Sequence, residues 1–199
     1  MPEDGCARGA DPGLTVTLYA PEQLTEELAG LAPDIVYLPV ERAGEFSAAA
    51  LRDRGTELCA LLPRICVDRE LPELLSLLEQ GKALGCTSLA VQNLGQLVLG
   101  ERTGLAMRGG PGLNVFNSRS LAQCLAWGLE SAALSFELRY EQIRDLKKPL
   151  ACEAAVYGRL PLMITENCLI SNAGRGCEVR QGRASPCAAV HTLTDRRGE

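Results

Sequence analysis

Short apolar runs alternate with helical stretches along most of this chain, and this repeat limits the possible folds more than any other feature. The runs begin about 20 to 30 residues apart, which is close to the length of one βα unit. Strands joined by such units lie parallel in one sheet. The candidate strands are Thr15–Tyr19, Ile35–Pro39, Glu57–Leu62, Ser88–Gln92, Leu113–Phe116, Ala132–Ser135 and Cys152–Tyr157.

Apolar residues between the candidate strands recur at the spacing of an amphipathic helix. Ser118, which follows Asn117 and lies three residues before Leu121, is the predicted N-cap of the third group. The groups are Leu24, Leu28 and Leu31; Leu71, Leu74, Leu75 and Leu78; and Leu121, Cys124 and Leu125.

The pattern favours a barrel over a dinucleotide-binding open sheet, because the chain contains no Gly-x-Gly-x-x-Gly fingerprint. The glycine-rich segment 109–112 is interrupted by Pro111, and it precedes the candidate strand Leu113–Phe116 instead of following it. We therefore predict an α/β, TIM-barrel-like (β/α) barrel of about seven βα units. A missing eighth strand would expose an edge, so we expect an incomplete or atypical barrel, or a chain truncated at its C-terminus.

Composition is that of an ordinary globular protein, with 46% hydrophobic and 23% charged residues. The net charge of −5 is a weak argument against nonspecific binding of nucleic acid, and a local basic face stays open. No run of about 18 apolar residues occurs and the N-terminus lacks a signal peptide, so we expect no membrane span and a cytoplasmic location. The predicted organisation is a disordered leader at 1–13, the barrel at 14–160, and a cysteine-bearing loop and tail at 161–199.

Polar residues follow several candidate strands, and a (β/α) barrel builds its active site from the C-terminal ends of its strands. Arg64 and Glu137 lie at two such ends. The same residue types also serve as caps and turn formers, so a structural role stays open for each. The residues predicted to bind substrate are Asn93, Asn114, Asn117 and Tyr157.

Three cysteines lie close together near the C-terminus. The apolar run 157–168 ends in Cys168, and Cys177 and Cys187 follow in a glycine-rich, charged segment. A strand that delivers a cysteine to a loop, with two more close behind, indicates a metal or cluster site. Nine cysteines without a signal peptide are not expected to form a disulfide framework. Cys59, Cys86 and Cys124 are predicted to be buried thiols.

Several segments of the chain occur in the order found in one known family. The principal ones are Gly112-Leu113-Asn114-Val115-Phe116-Asn117-Ser118 and Tyr157–Cys168, supported by Pro63-Arg64-Ile65, the segment 91–96, the segment 134–138 and the segment 193–198. Together they extend over roughly residues 15–198. This ordered set resembles the collagenase-like peptidase family, catalogued as number 32 among peptidases of unknown catalytic type.

The resemblance implies a TIM-barrel-like catalytic domain and a cysteine motif that binds a [4Fe–4S] cluster in several relatives. Those relatives take part in oxygen-independent hydroxylation of ubiquinone precursors or of tRNA and rRNA bases, with prephenate as co-substrate in the RNA cases. Cys168, Cys177 and Cys187 match the first three cluster cysteines, whereas the family's fourth ligand lies further downstream than this sequence extends. The implied partners are a small-molecule or RNA substrate and a family partner subunit.

On the hydroxylation hypothesis, four residues are candidate catalytic groups. Arg64 and Arg159 are suited to pair with a carboxylate such as that of prephenate, because guanidinium gives bidentate recognition. A salt bridge at the barrel rim is the alternative for both. Glu137 and Glu153 are candidate general acids or bases, and Glu153 is predicted to point into the barrel mouth unless it is a paired structural carboxylate.

Two other functions stay open. A genuine peptidase is what the family name asserts, but the single histidine, His191, leaves no zinc-protease motif and no evident nucleophile-and-base pair. Many relatives also carry a histidine before the Gly-Leu-Asn-Val-Phe-Asn run, where this chain has Met107-Arg108-Gly109-Gly110. The third possibility is a noncatalytic truncated barrel that binds zinc or no metal.

Overall fold

The computed structural model describes residues 12–161, 163–165 and 197. The chain divides into two compact units, Met1–Val156 and Tyr157–Glu199. The first contains all the helices and strands of the described residues. The strands are β1 (Thr15–Thr17), β2 (Ile35–Pro39), β3 (Glu57–Leu61), β4 (Cys86–Val91), β5 (Ala106–Gly109), β6 (Leu129–Ala133) and β7 (Ala151–Glu153).

The α-helices alternate with these strands and vary widely in length. The longest, α3, has 13 residues and begins with a proline in its first turn, where the missing N–H costs nothing. Within the described residues, no helix is long and apolar enough to cross a membrane. The helices are α1 (Glu26–Gly30), α2 (Ala49–Arg52), α3 (Leu71–Ala83), α4 (Leu97–Thr103), α5 (Ser118–Ala126) and α6 (Tyr140–Asp145).

The strands form one parallel sheet in which spatial order follows sequence order, from β1 to β7. The sheet curls into a nearly closed barrel. A hydrogen bond of 2.6 Å from the Tyr37 hydroxyl on β2 to the Glu153 carboxylate on β7 spans the interior between strands far apart in the sheet order. The predicted α/β, TIM-barrel-like fold with about seven units is therefore confirmed.

Successive side chains of each strand face opposite sides of the barrel wall. On β2, Val36 and Leu38 pack in the main core between sheet and helices, whereas Tyr37 packs with Cys59 and Ala90 in a smaller cluster. Helices α1 to α5 all contribute residues to the main core, among them Leu51 of α2, Leu78 of α3, Leu99 of α4 and Leu121 of α5. Burial of these apolar faces is the main force that holds helices against sheet.

Two register shifts alter which residues face each other across the sheet. Between β5 and β6, Met107 pairs with Leu129 but Arg108 pairs with Ser131, so Glu130 is an extra residue in β6. A similar shift between β3 and β4 makes Thr87 an extra residue. Such bulges bend a strand and redirect its side chains.

The fifth strand differs from its prediction. β5 is Ala106–Gly109, whereas residues 111–113 form a 3-10 turn and Val115 makes only an isolated bridge to Leu134. The glycine-rich segment therefore follows its strand instead of preceding it. β7 likewise ends at Glu153, earlier than predicted.

The apolar run after β7 was also assigned wrongly. Leu160, Pro161 and Met163–Thr165 belong to no helix or strand, and the rest of the run up to Cys168 lies outside the described residues. The N-cap of α5 is Asn117, not Ser118, because the Asn117 side chain accepts hydrogen bonds from the N–H groups of Arg119 and Ser120. The predicted boundaries at residues 13, 160 and 161 stay predictions.

Candidate functional site

A continuous chain of hydrogen-bonded side chains crosses the barrel, and six neighbouring strands each contribute one residue to it. We call this set the interior network. Its charged members are one arginine and two glutamates, and the others are hydroxyl-bearing. In strand order the members are Tyr37, Glu57, Ser88, Arg108, Ser131 and Glu153.

Arg108 is the central cation of the interior network, with 13% of its side chain exposed. Its Nε and Nη2 donate to the two carboxylate oxygens of Glu57 at 2.9 and 2.7 Å, which is the bidentate geometry typical of strong arginine–carboxylate pairs. Ser88 donates a further, short hydrogen bond to Glu57. Burial opposes the charge of Arg108, but the bonds to Glu57 outweigh it and raise the pKa of the guanidinium.

The bulge in β6 explains how Arg108 meets its remaining partners. With Glu130 inserted, Ser131 comes into register with Arg108, and its hydroxyl accepts from Nη1 at 3.1 Å. The Glu130 carboxylate lies 3.6 Å from Nη2 and is largely exposed. A one-residue change in register would move Ser131 to the other face of the sheet and break the network.

Glu153 ends the network at the C-terminal end of β7. Its Oε1 accepts from Tyr37 at 2.6 Å and from Ser131 at 2.8 Å. Its Oε2 accepts no hydrogen bond from any described residue. Burial and the adjacent Glu153 charge raise the pKa of Tyr37 well above its usual value, so the phenol stays protonated and remains a donor. Glu153 therefore has one oxygen held by two side chains and a second oxygen with no hydrogen-bond donor among the described residues.

The interior of a (β/α) barrel is normally filled by branched apolar side chains. Here the same positions hold an ion pair, a second carboxylate and three hydroxyls. Ionised groups lose hydration when a fold encloses them, so a purely structural filling would favour apolar residues. The interior network is therefore the candidate functional site of the barrel.

Two cysteine thiols and one tyrosine phenol are buried in their un-ionised form, and this predicts that the folded protein loses stability at alkaline pH. Burial raises the pKa of Cys86 to about 11, and it also raises the pKa values of Cys59 and Tyr37. An unfolded thiol ionises near pH 8.5, so the contribution of Cys86 is complete below that pH and is lost as pH rises through about 11. We expect wild type to lose about 2 kcal/mol more than Cys86→Ala over this interval, measured by urea unfolding. Equal losses in the two proteins would contradict the assignment.

The rim at the C-terminal ends of β3, β4 and β5 is held by two glutamines. Gln96 accepts from the Gln92 N–H at 2.7 Å and donates to the Pro63 carbonyl at 2.7 Å. Gln92 accepts from the Gly112 N–H at 2.8 Å. A Cβ on Gly112 would lie 2.2 Å from the Gln92 carbonyl oxygen, so this close approach requires glycine. Hydrogen bonds of Gln92 and Gln96 thus join the ends of these three strands.

The structure brings two of the predicted rim residues together. Asn93 donates from Nδ2 to the Arg64 carbonyl at 3.2 Å, while the Arg64 side chain is exposed. Asn114 adopts a left-handed backbone with φ of 47°, and Asn117 caps α5. Glu137 is exposed, and its backbone N–H bonds to the Ser135 hydroxyl at 3.4 Å. Asn114 and Asn117 therefore have clear structural roles.

The remaining predicted site residues lie in the second unit. Tyr157 and Arg159 are exposed there. Cys168, Cys177 and Cys187 lie outside the described residues. Of the acidic candidates, Glu153 alone belongs to the interior network.

Five members of the network were not predicted. Arg108 was missed because the fifth strand was placed at Leu113–Phe116, which left Arg108 in a loop. A sequence signal existed for Glu57. It lies on the same face of the predicted strand Glu57–Leu62 as Cys59 and Leu61, because every second residue of a strand faces the same side. Ser88 and Ser131 carried no such signal, because serine is common on either face. The five are Tyr37, Glu57, Ser88, Arg108 and Ser131.

No group of three or more metal-ligating side chains occurs among the described residues. Their free cysteines include Cys59, Cys86 and Cys124, which are buried as predicted. Burial raises the pKa of each, which disfavours the thiolate that a metal would need.

Fold and interior together define the class of protein: a (β/α) barrel with a charged, hydrogen-bonded interior. The model of Peptidase family U32 matches residues 44–198, most of the chain. The chain belongs to this family, and the resemblance found in the sequence is confirmed. No curated protein matches it.

Two solved structures are similar in outline. A glycerol uptake operon antiterminator-related protein from Thermotoga maritima is 13% identical with a TM-score of 0.43, covering 72% of this chain and 94% of its own. The 3-dehydroquinate dehydratase from Geobacillus kaustophilus is 12% identical with a TM-score of 0.45, covering 73% and 74%. Similarity at this level does not indicate that the proteins share an activity.

Proposed function

We propose that this family U32 protein takes part in iron–sulfur-dependent, oxygen-independent hydroxylation of RNA or of a quinone precursor. The observation that carries the proposal is Glu153. It lies at the C-terminal end of a barrel strand, where active sites of this fold form. One of its oxygens is held by Tyr37 and Ser131 while the other is unpaired among the described residues. A carboxylate in that state is suited to general acid or base chemistry.

The cluster fits the chain by the chemistry of its donors. Iron–sulfur clusters are held by cysteine thiolates, and Cys168, Cys177 and Cys187 supply three in one segment. Three of the described cysteines, Cys59, Cys86 and Cys124, are poor substitutes, because burial raises the pKa values of their thiols. The proposed cofactor is therefore a [4Fe–4S] cluster held by these three thiolates, with the fourth ligand not identified. When bound, the cluster supplies one-electron redox chemistry.

The other proposed roles belong to the protein's own side chains. Glu153 accepts or returns a proton at its Oε2 atom. Arg64 and Arg159 are exposed guanidinium groups suited to bind the carboxylates of prephenate as co-substrate. Asn93, Asn114, Asn117 and Tyr157 remain proposed substrate contacts, and Glu137 remains a proposed acid or base.

The cluster is tested by anaerobic purification followed by iron, acid-labile sulfide and zinc analysis. We expect brown protein with about four irons per chain, the content of a [4Fe–4S] cluster. Cys168→Ser is expected to lose most of the iron because it removes a ligand. Cys66→Ser is the matched control, since Cys66 is a partly exposed thiol remote in sequence from the three ligands. Colourless protein with stoichiometric zinc would refute the cluster.

The reaction is tested with oxidised, cluster-loaded protein incubated anaerobically with prephenate, a one-electron acceptor and either RNA or a quinone precursor, because hydroxylation removes two electrons from the substrate. The expected product has gained one oxygen atom by mass spectrometry, and Glu153→Gln lowers its yield at least about a hundredfold. Hydrolysis of a gelatin or peptide panel that survives Cys168→Ser would indicate a peptidase instead.

A further inference from the structure

We propose that Tyr37 and Ser131 are positioning residues that orient the Glu153 carboxylate, so that its Oε2 atom receives an O–H or N–H donor of the substrate. The inference rests on the proposed function, because it assigns a role to Glu153 within that reaction. It adds two residues on distant strands, β2 and β6, neither of which the sequence indicated. It also specifies the chemical group that the site accepts.

The geometry of the two donors is what fixes the carboxylate. A glutamate side chain has several rotatable bonds, and holding it in one conformation requires contacts that outweigh the lost entropy. Tyr37 and Ser131 approach the same oxygen at 2.6 and 2.8 Å from opposite parts of the barrel wall. Both are nearly fully buried, with exposures of 7% and 2%. Donors on rigid, buried strands hold a catalytic group better than donors on loops.

Arg108 sets the direction of the hydrogen bonds. A guanidinium group can only donate, so the Ser131 hydroxyl must accept from Arg108 and turn its own proton toward Glu153. Tyr37 likewise acts as a donor to Glu153. Glu153 Oε1 is therefore the acceptor in both hydrogen bonds, and the hydroxyl protons of Tyr37 and Ser131 occupy it. This leaves Oε2 as the atom that meets a substrate.

The charge of the network indicates which substrate group can bind. One arginine stands against two glutamates, Glu57 and Glu153, so the network has a net negative charge. Arg108 is already engaged by Glu57 and Ser131 and is not available to hold an anion. An ionised carboxylate offers only acceptor sites. The group that binds Oε2 is therefore a proton donor, such as a hydroxyl or a ring N–H, and not a carboxylate.

The first experiment determines the rotamer of the Glu153 side chain by NMR, and it does not depend on enzymatic activity. In wild type we expect its γ-methylene protons to show the couplings of a single rotamer. In the Tyr37→Phe, Ser131→Ala double variant we expect averaged couplings. Ser88→Ala is the matched comparison, because Ser88 belongs to the same network but bonds to Glu57, so its loss leaves Glu153 fixed. A single Glu153 rotamer in the double variant, or averaging already present in wild type, would overturn the inference.

The second experiment measures steady-state product formation by cluster-loaded protein. Tyr37→Phe and Ser131→Ala are each expected to lower kcat about tenfold or more with little change in KM, because a misoriented base affects the chemical step. Tyr140→Phe, at an exposed phenol, is expected to leave both constants unchanged. Unchanged kcat in Tyr37→Phe and Ser131→Ala would overturn the inference while the proposed function stands.

The two proposals fail in different ways. If wild type forms no product although the cluster is present, the proposed function fails. The NMR couplings then decide on their own whether Tyr37 and Ser131 fix Glu153. A folded state common to all variants is checked by thermal unfolding, so that a drop in kcat is not mistaken for loss of structure.

Discussion

Replacing Arg108 with methionine is expected to lower the free energy of unfolding by about 3 kcal/mol. Methionine keeps much of the side-chain volume but removes the cation, which leaves Glu57 with Ser88 as its remaining partner in the interior network. An enclosed carboxylate that has lost its cation is costly because the fold limits its hydration. The Glu57 side chain keeps 27% exposure, which holds the expected cost to the lower end of the range for buried pairs. Urea unfolding measures the change.

The exposed pair of Arg42 and Glu45 provides a matched control. Its atoms approach to 2.6 Å, similar to the 2.7 Å of the interior pair, but the side chains are 42% and 51% exposed. Arg42→Met is expected to cost much less than Arg108→Met, because water replaces the lost partner of an exposed charge. The double variant Arg108→Met, Glu57→Gln should recover part of the loss by removing the unpaired charge. If Arg108→Met and Arg42→Met lowered the free energy of unfolding equally, burial would not strengthen the contribution of the interior pair to stability.

Replacing Gly112 with alanine is expected to destabilise the protein by about 2 to 3 kcal/mol, the effect of forcing an extra methyl group into a tightly packed region. The added Cβ would lie 2.2 Å from the Gln92 carbonyl oxygen, which is backbone and cannot rotate away. The loop after β5 would have to move, and the 2.8 Å hydrogen bond from the Gly112 N–H to Gln92 would be strained. Thermal or urea unfolding measures the effect.

Gly30→Ala is the matched control for this substitution. Gly30 ends α1, and a Cβ added there meets nothing within 4 Å. Alanine in a helix is favoured over glycine, so this change is expected to be neutral or to stabilise by up to about 1 kcal/mol. A Gly112→Ala protein as stable as Gly30→Ala would mean that the backbone around Gln92 moves easily to accommodate the added methyl group.

Strand prediction worked where local signals agreed with tertiary packing. β2 was predicted with its observed ends, and β3 to within one residue, because β-branched and apolar residues there are bounded by turns. β5 failed for a physical reason. Its sequence, Ala106-Met107-Arg108-Gly109, contains a charge and a glycine that weaken a strand signal, and pairing with β4 and β6 overrides this propensity.

Site residues were likewise predicted where the signal was local in sequence and missed where it depended on tertiary packing. Glu153 was predicted as a candidate acid or base, and the interior network contains it. Glu137 was nominated on equal grounds, but it lies exposed beyond the end of β6. The three cysteine positions were found because ligands in one segment leave a visible spacing. The interior network leaves none, since its members come from six strands.

The sequence alone determined the alternation of strands and helices, the barrel class, the family and the cysteine segment, because each depends on residues near one another in the chain. Only the tertiary structure decided that Arg108, Ser131, Glu153 and Tyr37 meet. Tyr37 and Glu153 are 116 positions apart, and they are joined only when the sheet curls. Ser131 reaches Arg108 only because Glu130 bulges from β6. Closure and register are properties of the whole sheet, so no local pattern could have specified this site.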